Sequence, residues 1–211
     1  MNVLDFGIEV IALSASGVLA PGPLFFANLA YGIGPDRGSG VKVAYGHTVV
    51  ELPLIIILAA GLFTFDVAKK YAGTIGFIGG IAILAFASLQ IVSIIKEKRA
   101  YNVPHIAGSK GPFVVGVVLT ALNPFFLLWW FTAGSKLIAD SGGFGMTTGV
   151  VMLFTLHIWM DYAWLGSTAY LASRGTFLFR SKYFQVLGLG LAAMLVCYGV
   201  NFLLQAASWQ V

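Results

Sequence analysis

Ala20-Pro21-Gly22-Pro23-Leu24-Phe25-Phe26 interrupts an apolar run from Phe6 to Ile33, and Ala121-Leu122-Asn123-Pro124-Phe125-Phe126 interrupts another from Pro112 to Leu137. Both place a proline break in mid-run and follow it with aromatic residues. Proline inside a helix removes an amide donor and clashes with the preceding turn, so it ends one helical segment and suits the first position of the next. Asn123 ahead of Pro124 is the chemistry of a helix start, since Asn is a strong N-cap. Each break therefore predicts a half-helix whose N-terminal N–H groups point into the protein, where an anion such as a substrate carboxylate is attracted.

The surrounding composition makes these runs membrane spans. Hydrophobic residues form 59% of the chain and charged residues 9%, against about 25% charged in an ordinary soluble domain. Besides the two broken runs, Val41 to Phe65, Ile75 to Ile95, Met146 to Ala172 and Tyr183 to Ala207 are also long and apolar. Each is about long enough to cross ~30 Å of hydrocarbon, which predicts six transmembrane helices in an all-α membrane protein. A transmembrane barrel would instead alternate polar and apolar residues in segments of about ten. The first run has no preceding Lys or Arg and continues past the Pro-Gly-Pro break, so it reads as a retained span and not a cleaved signal.

Basic residues set the expected orientation. Arg37, Lys42, Lys96, Lys98, Arg99, Lys110, Arg174, Arg180 and Lys182 follow the first, third and fifth runs, while Lys69, Lys70 and Lys136 lie on the other side. The first set marks the cytoplasmic face and leaves both termini outside, in a multi-pass protein of the plasma (inner) membrane. The pI near 9.2 follows from this bias and points to no nucleic-acid partner. The basic loop 96–111, with Pro104 and His105, reads as a topology determinant against anionic lipid.

Cutting the chain at that loop gives two halves, 1–95 and 112–211, each with a broken helix followed by two more. Three helices is an odd number, so the halves have opposite orientation in the membrane. A 3+3 inverted repeat with broken helices 1 and 4 is a transporter architecture, with its site near the midplane between repeats. The second helix of each half carries a second matched motif, His47-Thr-Val-Val-Glu51 and His157-Ile-Trp-Met-Asp161. Residues four apart on a helix share a face, so each His reaches its own acid. Ionisable groups at bilayer depth are costly and mark functional sites.

The chain resembles the LysE superfamily of exporters. The resemblance is carried by Pro21-Gly22-Pro23, by Gly38, Gly40 and Gly46 leading to Glu51 and Gly61, and by Leu122-Asn123-Pro124. Trp164-Leu-Gly166 and Val186-Leu-Gly188 add to it. It covers nearly the whole chain and implies export of amino acids, basic or small neutral, driven by the ion gradient from a homodimer. Relatives in the wider superfamily move metal cations. Carried onto this sequence, the implied site comprises Pro21, Gly22, Pro23, Asn123, Pro124 and Glu51. His47, His157 and Asp161 depart from the expected pattern.

Two readings of the His–acid quartet stay open. In one, an amino acid places its carboxylate at the half-helix N-termini and its amino group against Glu51 or Asp161. His47, His157, Glu51 and Asp161 then carry the coupling proton, since imidazole titrates near physiological pH. In the other, His47, Glu51, His157 and Asp161 are four ligands for a divalent cation. The anion seat favours the amino acid, as does the lack of a His-rich or Cys-rich tract. Three histidines and no HExxH sequence argue against an intramembrane metalloenzyme, and no cofactor is expected.

Other residues have plainer expectations. Phe25 and Phe26 are gate candidates beside the break. Phe125, Phe126, Trp129, Trp130 and Phe131 read as lipid-facing or interfacial. Asn28, Gln90, Thr120 and Asn201 read as polar groups joining helices, and Gly73, Gly76 and Gly80 as a stripe for close helix approach. Pro53 reads as a kink, Cys197 as a packing residue and His105 as solvent-exposed.

Overall fold

A computed structural model describes residues 2–20, 22–34, 36–61, 73–74, 77–85, 87–88, 91–92, 111–178 and 182–208. The described residues form helices and connecting turns, with no strand. Eight α-helices are named in chain order: α1 Val3–Val18, α2 Pro23–Ile33, α3 Ser39–Ala59, α4 Gly111–Ala121, α5 Pro124–Trp129, α6 Ser135–Ser141, α7 Met146–Leu178 and α8 Lys182–Ser208. A π turn, Trp130–Gly134, joins α5 to α6. The loop 96–110, Lys69, Lys70, Gly76, Gln90 and Pro21 lie outside the described residues, as do parts of the third apolar run.

Local chemistry explains the helix ends. Asn2 caps α1 by accepting the Asp5 N–H at 2.9 Å, and α1 stops at Val18 before the first break. Gly22 is extended (φ −127°, ψ −176°) and Pro23 opens α2. Helix α3 keeps Pro53 inside it and runs 21 residues. It ends at Ala59 and is followed by Gly61, whose φ of +68° is the left-handed conformation that glycine supplies after a helix C-terminus.

Among the described residues, α3 alone is long and apolar enough to cross a membrane as one helix. Two bent pairs qualify when each is taken together: α1 with α2, bent by 73°, and α4 with the segment Pro124–Phe144, bent by 56°. These pairs coincide with the first and fourth apolar runs. Helices α7 and α8 cover the fifth and sixth runs and extend for 33 and 27 residues.

Packing depends on small residues where helices cross. A Cβ on Gly46 of α3 would lie 2.2 Å from the Phe113 carbonyl oxygen, and one on Gly116 of α4 would lie 2.3 Å from that of Val43. Only glycine on both sides allows this approach of α3 and α4. Gly32 and Gly40 meet the α7 backbone in the same way, with virtual Cβ distances of 2.5 Å to the Ala169 oxygen and 2.4 Å to that of Leu165. Gly80 faces Gly199 and Leu203 of α8.

Of the three buried clusters among the described residues, two are large and the third is small, with Val43, Ala44 and Leu165. One large cluster gathers Phe26, Ala27, Ala30, Leu119 and Phe202, and the other Phe6, Val10, Ile55, Trp130, Leu137 and Leu153. Outside them, large apolar side chains such as Leu4, Ile8, Ile56, Phe77, Leu171 and Leu204 are exposed, a surface suited to lipid. Cys197 is exposed too, so it is not the packing residue expected from the sequence: its position on α8 turns it off the buried face.

Candidate functional site

Helices α3 and α7 cross at the centre and bring the two His–acid motifs together. His47, Glu51, His157 and Asp161 are all buried, with Glu51 the most enclosed at 1% exposure. The motifs do not act as two separate pairs. His47 Nε2 lies 3.2 Å from Glu51 Oε1, and His157 Nε2 from the other motif lies 3.1 Å from the same oxygen. Trp130 Nε1 donates to it as well, at 3.1 Å. One carboxylate oxygen therefore faces three ring nitrogens; an ionised carboxylate only accepts, so with Glu51 ionised both imidazoles would present Nε2–H to it.

Asp161 is placed differently. Its Oδ1 is 3.8 Å from His47 Nε2 and its Oδ2 is 3.4 Å from His157 Nε2, distances of ion pairing without a hydrogen bond. Asp161 Oδ2 and Glu51 Oε2 are buried with no hydrogen-bond partner among the described residues. Buried polar atoms are normally satisfied, which singles these two oxygens out within the site.

The other imidazole nitrogens are held by hydroxyls. His47 Nδ1 meets Thr120 Oγ1 of α4 at 2.9 Å, and His157 Nδ1 meets Ser14 Oγ of α1 at 2.7 Å. A hydroxyl both donates and accepts, so these contacts suit the neutral and the protonated ring alike. Aromatic rings close over the imidazoles: Phe126 packs on His47 at 5.2 Å, and Trp130 packs on His157 at 5.2 Å.

These groups line a cavity of about 420 Å³ that also reaches both breaks, through Gly22, Pro23 and Asn123. The breaks differ. No side chain caps α2, whereas Asn123 Oδ1 accepts the N–H groups of Phe125 at 3.0 Å and Phe126 at 3.4 Å at the start of α5. The first turn of any helix has N–H groups without intrahelical partners. At α5 the Asn123 side-chain amide meets two of those N–H groups, and at α2 no side chain among the described residues does.

The remaining sequence candidates separate clearly. Phe25 lines the cavity and stacks on Trp164, with ring centroids 5.7 Å apart at 14°. Phe26 is buried in the neighbouring core, against Tyr198. Pro124 opens α5 without lining the cavity, and Pro21 is outside the described residues. His47, Glu51 and Asp161 each offer an atom within 4.8 Å of the others, close enough to share a cation.

The aromatic cluster after the second break departs from its lipid-facing expectation. Trp130 is fully buried and Phe131 nearly so, while Phe126 and Trp129 line the cavity; Phe125 alone is exposed, at 42%. The 56° bend carries α5 inward, and the π turn starting at Trp130 marks the kind of local irregularity found at functional sites. Gly134 was the available signal: a Cβ there would sit 2.3 Å from the Trp130 ring, so glycine makes room for the indole that reaches Glu51. Ser14 had no signal in the sequence, and Thr120 carried only a general expectation of joining helices.

A family model described as LysE type translocator matches residues 15–206. No curated protein and no solved structure matches the chain.

Proposed function

The chain belongs to the LysE type translocator family, a family of membrane transporters, and on that premise we propose that it exports amino acids by proton-coupled alternating access. The observation that carries this reading is the cavity that joins an uncapped helix N-terminus to two buried carboxylates with vacant oxygens. An amino acid has complementary ends. Its carboxylate sits at the first turn of α2, near Gly22 and Pro23, and its ammonium group donates to Asp161 Oδ2 and Glu51 Oε2.

The magnitudes suit an exporter. A carboxylate at a partly buried helix N-terminus gains up to about 2 kcal/mol, and a hydrogen bond to a charged partner about 1.5–3 kcal/mol. A few kcal/mol corresponds to dissociation constants near a millimolar, since about 4 kcal/mol is 1 mM. Such binding captures an accumulating solute and releases it readily. The aromatic walls at Phe25, Trp164 and Phe126 leave room for basic or small neutral side chains, with Phe25 as the gate.

Glu51, Asp161, His47 and His157 carry the coupling proton. The inverted halves rock about the centre, both termini lie outside in the plasma membrane, and two copies form the working unit. The deciding experiment measures binding and efflux of labelled amino acids with purified protein in proteoliposomes. Saturable binding and pH-gradient-dependent efflux are expected, and both fall in Glu51→Gln and Asp161→Asn variants. Variants that transport undiminished at any imposed gradient would sink the coupling role.

The close set His47, Glu51 and Asp161 supports a second reading, in which a divalent cation is the cargo. Stabilisation by Zn²⁺ that disappears in His47→Ala, together with no response to any amino acid, would establish that reading over the first.

A further inference from the structure

The two imidazoles are tied across the molecule in a crossed pattern. His47 in the first half bonds Thr120, next to last in α4 of the second half. His157 in the second half bonds Ser14, near the end of α1 in the first. Each hydroxyl thus stands on the helical segment that leads into a break, and each reaches the histidine of the opposite half. Ser14 is fully buried and Thr120 is 1% exposed, so water does not compete for these contacts.

Other hydroxyls among the described residues keep a local bond. Thr48, Thr155 and Thr168 donate to the carbonyl one turn earlier, on Ala44, Val151 and Trp164, the ordinary local bond of a helical threonine, and Thr48 and Thr168 meet Tyr162 and Asn28 of other helices in addition. Ser14 and Thr120 are directed at ring nitrogens on other helices. The partner of one imidazole nitrogen sets the orientation of the ring and the role of the other nitrogen. The groups facing the rings are Glu51 and Asp161 together with Phe126, Trp129 and Trp130. No Lys or Arg lines the cavity among the described residues.

We propose that Ser14 and Thr120 are positioning residues that hold His157 and His47 with Nε2 on Glu51, and that pivoting of either pre-break segment at its break releases one ring. The proposal rests on the quartet being the centre of a transport cycle. It makes the breaks hinges as well as termini: movement of α1 or α4 changes which histidine stays on Glu51, so the arrangement of the halves is written into the hydrogen bonding of the acid.

The test uses full-length protein with ¹⁵N-labelled histidine, read by NMR of the ring nitrogens beside transport in proteoliposomes. Ser14→Ala is expected to shift the His157 Nδ1 signal and leave that of His47, while Thr120→Val does the reverse. Each variant loses about tenfold in maximal transport rate, the scale of one hydrogen bond of about 1.4 kcal/mol, with substrate affinity changed less than about twofold. Ser14→Thr and Thr120→Ser restore both signal and rate, which separates the tether from a general packing defect. Unshifted ring signals, a shift without loss of rate, or a loss that the hydroxyl-bearing variants do not repair would each overturn the proposal. Failure of the wild-type protein to bind any amino acid would overturn the function it rests on, while the ring signals still report whether the tethers exist.

Discussion

The two halves of this molecule begin from the same parts and finish them differently. In the first half the break leaves α2 without a side-chain cap, while its acid, Glu51, takes three donors on one oxygen. In the second half Asn123 closes the terminus of α5, while Asp161 leaves a buried oxygen with no partner. Each acid keeps one buried oxygen, Glu51 Oε2 and Asp161 Oδ2, without a hydrogen-bond partner among the described residues; the halves differ in the helix end and in the donors gathered on the acid's other oxygen. A symmetric site would have two equivalent helix ends and two equivalent acids; here one helix end is capped by a side chain and one acid gathers the donors. On the function proposed above, a zwitterion held by α2 and the two acids would bridge the halves.

The comparison breaks most readily at the acids. Glu51→Ala strips the shared acceptor from two imidazoles and an indole, and removing one member of a buried ionic cluster costs about 3–5 kcal/mol. The melting temperature in detergent should fall by roughly 2–4 °C for each kcal/mol in a chain of this size. Asp161→Asn removes no such hub, so its melting temperature should hold while the amino-acid dissociation constant rises by about tenfold or more, the loss of one charged hydrogen bond. Equal destabilisation by the two variants would erase the distinction between them.

A smaller effect tests the breaks. Gly22→Asn rebuilds the first break in the image of the second, and a Cβ at Gly22 meets nothing within 4 Å in a backbone conformation any residue adopts. The new side chain should occupy the anion seat and weaken binding of carboxylate substrates by roughly threefold to tenfold, the worth of about 0.7–1.4 kcal/mol at a helix N-terminus, without lowering the melting temperature. The smallest change is the reverse one. Asn123→Ala should cost about 1 kcal/mol of stability, the typical value of an N-cap, and leave substrate affinity as it was. Binding isotherms that respond to Asn123→Ala and not to Gly22→Asn would place the seat at α5 instead.

Several parts of this site were legible before any coordinates. Pro23 and Pro124 marked helix starts because proline has no amide to lose at the first helical position, and both begin helices here. His47, Glu51, His157 and Asp161 stood out because ionisable groups are rare in apolar runs. What spacing could not reveal is that Glu51 draws in the histidine from the other helix, because the i, i+4 rule describes neighbours on a single helix. Trp130 was misplaced for a related reason: composition groups it with lipid-facing aromatics, and only the bend and the π turn send it inward. The sequence marks Asn123 as a cap, and the structure adds that its Oδ1 meets both the Phe125 and Phe126 N–H groups.

By itself, then, the sequence determined the chemistry available to this protein: apolar spans, two places where a helix must restart, and four ionisable groups at membrane depth. These follow from properties carried by single residues, namely the missing amide of proline, the cost of burying charge and the transfer energy of apolar side chains. The tertiary structure decided how those groups are shared. Close packing at Gly46–Gly116 and at Gly32 and Gly40 against α7 brings α3, α4 and α7 near enough for one carboxylate oxygen to serve both histidines. Which acid gathers the donors, which helix start carries a side-chain cap and which hydroxyl meets which ring all depend on distances between helices, and helix-to-helix distance is set by packing over the whole chain.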